Sequence, residues 1–393
     1  MHDTQPFSLE EQQIIEAVDK FISQEVRNKS NQLESLTDYP DNLVEQMAEL
    51  GLFGLIVPEE YGGLGLRYPV FAAIMEVVSS GWTTLAAYIN SHATVVYIVK
   101  TYGTEEQKTM FLPGLAAGTE RGALCLTEPN AGSDLQAIQT SAKENGDSLA
   151  LNGTKIFITN GRRATLYVTL AKTGVKENGK PKIGLLLVRR NDRGVRIGSD
   201  FHKMGFDLVD TVEVLFEDVA LPVDRFVGGR NDAGMSQLLD GLEIGRIAIA
   251  ASCVGLAAAA LGDAMRYASE RKTFGVAIEQ HQAIQLRLAE MGTKLVAARL
   301  LTNEAANAKQ NGKRTDMISA MAKLYASEAC LEIVADAMRV HGGYGYIKDF
   351  AVERMFREAA LYITGEGTSD INRLVIARRM REGGDNEILG VHV

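Results

Sequence analysis

"ALCLTEPNAGSD" (123–134) and "SLALNGTKIFIT" (148–159) decide the fold. Upstream of them apolar residues recur every three or four positions. Inside them Val, Leu, Ile and Thr stand in short runs bounded by Asn-Gly, Gly-Lys and Asp-Arg-Gly turn signals. "TLYVTLAKT" (165–173), "IGLLLVRR" (183–190) and "TVEVLFEDVAL" (211–221) continue the strand pattern. The period is helical on both sides. On the N-terminal side, Ser8 and Glu11 spell a capping box before "EQQIIEAVDKFI". Asp41 is placed to cap "NLVEQMAELG", Gly51 to stop it, and helical patterns follow at 69–80, 84–102 and 105–117. Beyond residue 232 they run over 233–270, 279–310, 315–340 and 368–380. Helices, then strands, then helices exclude the alternation of a doubly wound sheet. Three domains are expected, at 1–120, 121–232 and 233–393.

The charge balance narrows the function. A net charge of −9 and a pI near 5.4 argue against a nucleic-acid scaffold, whose footprint is a basic surface. Cys125, Cys253 and Cys330 form no CxxC and stand among small or apolar neighbours, as buried reduced thiols do. "MHDTQPFSLEEQQ" has neither the basic nor the apolar region of a signal peptide. The most apolar stretch, "IAIAASCVGLAAAALGDAM" (247–265), is Ala-rich and reads as a packed core helix rather than a membrane span. A soluble cytoplasmic protein is expected, with no membrane or metal site.

Five stretches carry possible chemistry. The loop in "LTEPNAGSD" (126–134) can present backbone N–H groups and the Thr127 and Ser133 hydroxyls to a phosphate or a polar ring edge. Taken alone it reads better as an ordinary strand exit. Phe157 ends a strand where it could stack on a flat ligand or join the core. "RKTFG" (271–275) offers Arg271 to a pyrophosphate, or simply forms a basic turn. "MRVHGGYGY" (338–346) has glycines that let backbone approach a ligand, or that cap a helix. In "ITGEGTSDINRL" (363–374), Glu366 stands bare between Gly365 and Gly367 at a helix start. Complementing the helix dipole is one role for such a carboxylate, and proton abstraction is another.

In order and separation, "LTEPNAGSD", "FITNG" (157–161), "KMG…FEDVALP" (203–222), "ERKTFG" (270–275), "HQAIQ" (281–285), "HGGYGYIKDF" (341–350) and "GEGTSDINRLVIAR" (365–378) resemble the acyl-CoA dehydrogenase family from Ser8 onward. The resemblance implies an α+β multidomain fold: an N-terminal α-helical domain, a middle β-barrel or sandwich, and a C-terminal four-helix bundle. It implies FAD, an acyl-CoA substrate, an electron-transfer flavoprotein as acceptor, and a homotetramer built as a dimer of dimers. It assigns Leu126, Thr127, Gly132, Ser133, Phe157 and Thr159 to the flavin, and Ser133 also to the CoA chain. Arg271, Thr273, Phe274, His281, Gln282, Arg339, Gly342 and Gly343 match positions that reach the FAD of a neighbouring subunit. Thr368 and Asp370 match FAD contacts at the last helix start. Glu243, Arg246 and Arg378 match substrate-binding positions, joined by Gly365, Gly367 and Tyr88 around the acyl group.

Glu366 falls on the family's usual base, which abstracts the α-proton while the β-hydride passes to flavin N5, giving a trans-2-enoyl-CoA. The alternative base position is Gly245, which cannot serve. An oxidase or flavin monooxygenase on the same fold is the competing enzyme reading, and a DNA-binding relative the remote non-enzymatic one. The chain departs from the family at Phe157 (usually Trp), Arg339 (usually Gln), Asp207 and Val209 (commonly Arg and Ser) and Gly365 (commonly Tyr). Losing the tyrosine opens room for a short, branched, cyclic or aryl acyl group. Thr84 stands where glutaryl-type enzymes carry an arginine, which disfavours a dicarboxyl substrate.

Overall fold

The computed structural model describes residues 6–34, 38–145, 148–230 and 233–382. The Gly146 turn signal, the expected boundary at residue 232 and the first residues of the N-terminal segment lie outside these. Helices α1 (Leu9–Phe21), α2 (Ser30–Glu34), α3 (Asp41–Glu49), α4 (Tyr68–Gly81), α5 (Thr83–Tyr102) and α6 (Glu105–Ala116) come first. Strands β1 (Gly122–Cys125), β2 (Ser141–Asn145), β3 (Ser148–Thr159), β4 (Leu166–Val175), β5 (Pro181–Arg189), β6 (Val195–Asp200) and β7 (Thr211–Pro222) follow. The chain returns to helix in α7 (Gly234–Glu270), and a small hairpin, β8 (Lys272–Thr273) and β9 (Val276–Ala277), leads to α8 (Gln282–Gln310), α9 (Asp316–His341), α10 (Ala351–Tyr362) and α11 (Ser369–Arg381).

The Ser8–Glu11 capping box is present, and Glu11 also takes two hydrogen bonds from Arg67, tying α1 to the start of α4. Asp41 is not a cap. It is the first helical residue after Pro40, its carboxylate turned to Arg163 at 3.4 Å, because the cap position was taken by a residue with no side-chain acceptor. Gly51 does follow the helix end in left-handed backbone, φ +73°. Helix α10 was not expected. Its buried Val352, Met355, Ala359 and Tyr362 lie at helical spacing, and the Arg354–Glu358 pair closes it one turn apart at 2.9 Å.

The sheet runs β1-β4-β2-β3-β7-β6, with β5 on the free side of β4. β1 and β2 pair parallel to β4, and the remaining pairs are antiparallel. Period two sorts β4: Leu166, Val168 and Leu170 face the helical core, while Tyr167 and Ala171 face a second core inside the sheet. Helix α7 packs against α4, α5, α8 and α9. It is long and apolar enough to cross a bilayer, yet 83% of its apolar window is buried, as a core helix is. A Cβ at its Gly255 would sit 2.2 Å from the Glu76 carbonyl, so only glycine admits this approach of α4. All three cysteines are buried and free.

Candidate active site

Three elements converge on Glu366. The turn between α10 and α11 holds it in left-handed backbone, φ +49°, between Gly365 and Gly367, the latter at φ +90°. A non-glycine residue adopts this conformation only where its surroundings enforce it. Here the Gly367 carbonyl accepts from Lys323 Nζ on α9 (2.8 Å) and from Asn372 Nδ2 (2.9 Å). The requirement for glycine at 367 is thus conformational in this chain. Among the described residues the Glu366 N–H has no protein acceptor.

The side chain reaches α5 and α7. Asn90 Nδ2 donates to Oε1 at 2.7 Å, whereas Oε2 is buried without a partner. A Cβ at Gly245 of α7 would lie 1.9 Å from Oε2, so the missing side chain there is the space the carboxylate occupies. The residue keeps some exposure, while Oε2 has none of consequence. Burial pushes its pKa up to about 7, against the Asn90 hydrogen bond and the positive fields of Lys323 and Arg246. The Lys323 ammonium is itself brought down to about 8 by burial.

A second group surrounds the exit of β1. The Leu126, Thr127, Gly132 and Ser133 N–H groups have no protein acceptor among the described residues. Beneath them runs a buried ion pair: Lys155 Nζ meets Glu128 Oε1 at 2.8 Å and the Leu126 carbonyl at 2.9 Å. Lys155 is 0% exposed and Glu128 6%. Glu128 also accepts from the Gln139 and Thr140 N–H groups. Two residues on, Phe157 adopts φ +57° and is 56% exposed, its ring 4.6 Å from that of Phe201. Thr159 ends the strand half-buried. Next to it Asn160 Nδ2 donates to the Ala87 carbonyl (3.2 Å) and to Ser91 (3.4 Å), fastening β3 to the helix that carries Asn90.

The third group lines a cavity of about 450 Å³ formed by Tyr267, Arg271, Thr273, His341, Gly342, Gly343 and neighbours. It is built without Glu366. Thr273 and His281 share a hydrogen bond at 2.9 Å, Gln282 opens α8 exposed, and Phe274 is 98% exposed. Arg339 instead pairs with Asp336 at 2.8 Å, where Arg287 also binds.

Other expected residues are already engaged. Glu243 is buried, bound by Lys309 Nζ (2.8 Å) and Thr315 Oγ1. Thr368 Oγ1 caps α11, accepting from Ile371 N–H at 3.2 Å, and Asp370 pairs with Arg373 at 2.9 Å on the surface. Tyr88 is buried, its hydroxyl donating to the Leu208 carbonyl (2.9 Å) and its ring 4.9 Å from Tyr39. Thr84 is buried and donates to Glu358 at 3.5 Å. Arg246 is buried with Nε unpaired, whereas Arg378 is exposed. Of the departures, Asp207 is exposed and Val209 buried, and neither exposure accounts for the substitution.

Sequence reasoning missed Asn90, Lys323, Asn372 and the Lys155–Glu128 pair. Of these only Lys323 carried a faint signal, a charge between Ala322 and Leu324, whereas Asn90 stands beside Ser91 and His92 and Lys155 follows Asn152, Gly153 and Thr154.

Open N–H donors beside an exposed aromatic suit a large flat cofactor with acceptor edges. A buried carboxylate with raised proton affinity suits removal of a weakly acidic C–H proton. Together they are compatible with an oxidoreductase site in which a base works beside a flat cofactor. Family models for the acyl-CoA dehydrogenase N-terminal, middle and C-terminal domains match residues 8–119, 123–219 and 232–381. The chain is 41% identical to a probable acyl-CoA dehydrogenase, YngJ, of Bacillus subtilis, covering 94% of this chain and 98% of that one. It is 37% identical to the caffeyl-CoA reductase–Etf complex subunit CarC of Acetobacterium woodii over 88% of this chain and 91% of that one. The structure of butyryl-CoA dehydrogenase from Megasphaera elsdenii superposes with a TM-score of 0.90 at 32% identity, covering 96% and 99% of the two chains. The chain belongs to the acyl-CoA dehydrogenase family, and it is an FAD-dependent oxidoreductase that dehydrogenates acyl-CoA.

Proposed function

We propose that Glu366 is the base that removes the α-proton of the acyl-CoA, through Oε2. The observation that carries this is the free, buried Oε2 facing the space left by Gly245, on a carboxylate whose proton affinity is raised to about 7. A thioester α-proton is weakly acidic, so a base of raised affinity narrows the mismatch. The Glu366 N–H, without a protein acceptor among the described residues, would serve as a donor for the thioester oxygen as negative charge develops there. Leu126, Thr127, Gly132, Ser133, Phe157 and Thr159 would hold the flavin, and bound FAD supplies the hydride acceptor. Arg271, Thr273, Phe274, His281, Gln282, Gly342 and Gly343 would serve a neighbouring subunit's FAD. An almost fully exposed Phe274, with Tyr346, Leu286 and Leu300 also exposed, supports the homotetramer. Arg339 and Glu243 stay in those proposed sets, where each would have to exchange its present partner, Asp336 or Lys309, for the ligand.

We infer a substrate with bulk beside Cα and Cβ: short branched, cyclic or aryl. At Gly365 a Cβ would meet only the Leu361 carbonyl and side chain, at 3.5 Å and beyond, leaving the space a larger residue would fill. Likeness to a subunit of a caffeyl-CoA reductase–Etf complex supports both an aryl group and an electron-transfer flavoprotein partner. The domain division at 1–120, 121–232 and 233–393 and a cytoplasmic location belong to the same reading.

The test is anaerobic flavin bleaching by a panel of straight, branched and aryl acyl-CoAs, with wild type and Glu366→Gln. Glu366→Gln is expected to retain FAD and lose bleaching by every acyl-CoA. Full bleaching in that variant refutes the base, and preference for octanoyl-CoA refutes the role of Gly365.

A further inference from the structure

We propose that Asn90 is the positioning residue of the proton-abstracting carboxylate: by holding Oε1 it leaves Oε2 as the atom presented for proton transfer. This rests on Glu366 being the base. Asn90 Nδ2 donates to Oε1 at 2.7 Å, and no other side chain among the described residues hydrogen-bonds the carboxylate. The neighbouring cations do not compete for it. Lys323 Nζ is bound to the Gly367 carbonyl at 2.8 Å, and among the described residues the only side-chain hydrogen bond to the carboxylate is from Asn90, none coming from Arg246. Asn90 is itself placed by the fold. Its carbonyl accepts from Thr94 Oγ1 at 3.2 Å, and the residues flanking it on α5, Ala87 and Ser91, are fastened to β3 by Asn160. Asn90 thus couples the cofactor strand to the base through one helix.

The charged groups around the carboxylate come from each element packed on it. Arg246 stands on α7 and Lys323 on α9, both favouring the ionised form. Glu243, Asp316 and Arg378 of α11 bear on Arg246 rather than on the carboxylate, Glu243 being occupied by Lys309. From α5 the only hydrogen bond to it is the neutral amide of Asn90. A hydrogen bond donated to the charged form lowers a carboxylate's proton affinity, so its loss raises the affinity. A hydrogen bond to a charged group, converted at one pK unit per decade, corresponds to a shift of about one to two units, of which the lower end is expected here.

The experiment measures anaerobic flavin reduction against pH in the holoenzyme. The probe is whichever of butyryl-, isobutyryl- and 3-phenylpropionyl-CoA bleaches wild type fastest. Asn90→Leu, of similar shape, and Asn90→Ser, too short to reach and small enough not to clash, are compared with wild type and Glu366→Gln. Both Asn90 variants are expected to keep FAD, to raise the pH midpoint by about one unit, and to lower the plateau rate about tenfold or more while KM changes little. A residue that merely packs would leave the midpoint where it is. If Asn90→Leu fails to hold FAD, the midpoint of Asn90→Ser decides. An unmoved midpoint beside an inactive Glu366→Gln overturns the Asn90 assignment alone. A Glu366→Gln enzyme that still bleaches removes the base reading beneath it.

Discussion

Gly245→Ala is the smallest change that attacks the site without touching the carboxylate. The added carbon would lie 1.9 Å from Glu366 Oε2, against a normal separation of about 3.5 Å. One of the two must give roughly 1.5 Å, and the side-chain end gives more easily than a helix backbone locked between α5 and α9. Displacement of a reacting group by about 1 Å costs on the order of 100-fold in rate. The fold faces the opposite pressure, because alanine favours a helix interior by about 1 kcal/mol over glycine. The variant should therefore melt at the wild-type temperature or slightly above, bind one FAD per chain, and reduce it about 100-fold more slowly. Rapid-mixing anaerobic bleaching, FAD-to-protein absorbance and a thermal melt read these three quantities. A variant that holds FAD and bleaches at the full wild-type rate would refute the claim that position 245 supplies the room for the base.

Two further outcomes follow from groups described above. With Glu366 raised to about 7 by burial, the base is protonated below that pH, so flavin reduction should fall about tenfold per unit under it and level off above. The sign for stability is opposite to that of a salt-bridged carboxylate, whose pKa is lowered on folding. The folded chain holds this proton between pH 4.5 and about 7, so the group's contribution to stability is present at low pH and lost as pH rises through that window, which a denaturant series at several pH values would read. Lys155→Met should cost about 3 kcal/mol or more and release FAD, because it strands the buried Glu128 carboxylate. Denaturant melts and FAD retention measure it, and a Lys155→Met protein as stable as wild type would show the pair to be dispensable.

Much of this was legible because local rules carried it. The change of period after residue 121 separated helices from sheet, since burying one face of a strand needs alternation and burying a helix stripe does not. The bare Glu366 was visible from its glycines, and Gly245 only through the family resemblance, as the alternative base position left without a side chain. What stayed hidden was tertiary. Asn90 and Glu366 meet across 276 positions of sequence, and nothing near either one announces the other. Lys323 looks like a helix-surface lysine until α9 is seen buried on that side, where its ammonium serves a backbone carbonyl. Thr368 reads as a ligand contact and also serves as the α11 cap, because hydroxyls at helix starts have both uses. The left-handed backbone of Glu366 could not be read at all, since glutamate carries no preference for it.

The Lys155 ammonium binds Glu128 and the Leu126 carbonyl at once, and Phe157 stands two residues further along the same strand. In the proposed reading, Lys155 ties the loop and the aromatic-bearing strand into one jaw before anything enters it. A molecule seated there would not have to order the loop donors and the ring separately, so little of its binding free energy is lost to freezing protein. Such a jaw favours long residence over rapid exchange, as befits a group that is to be reduced and reoxidised many times without leaving.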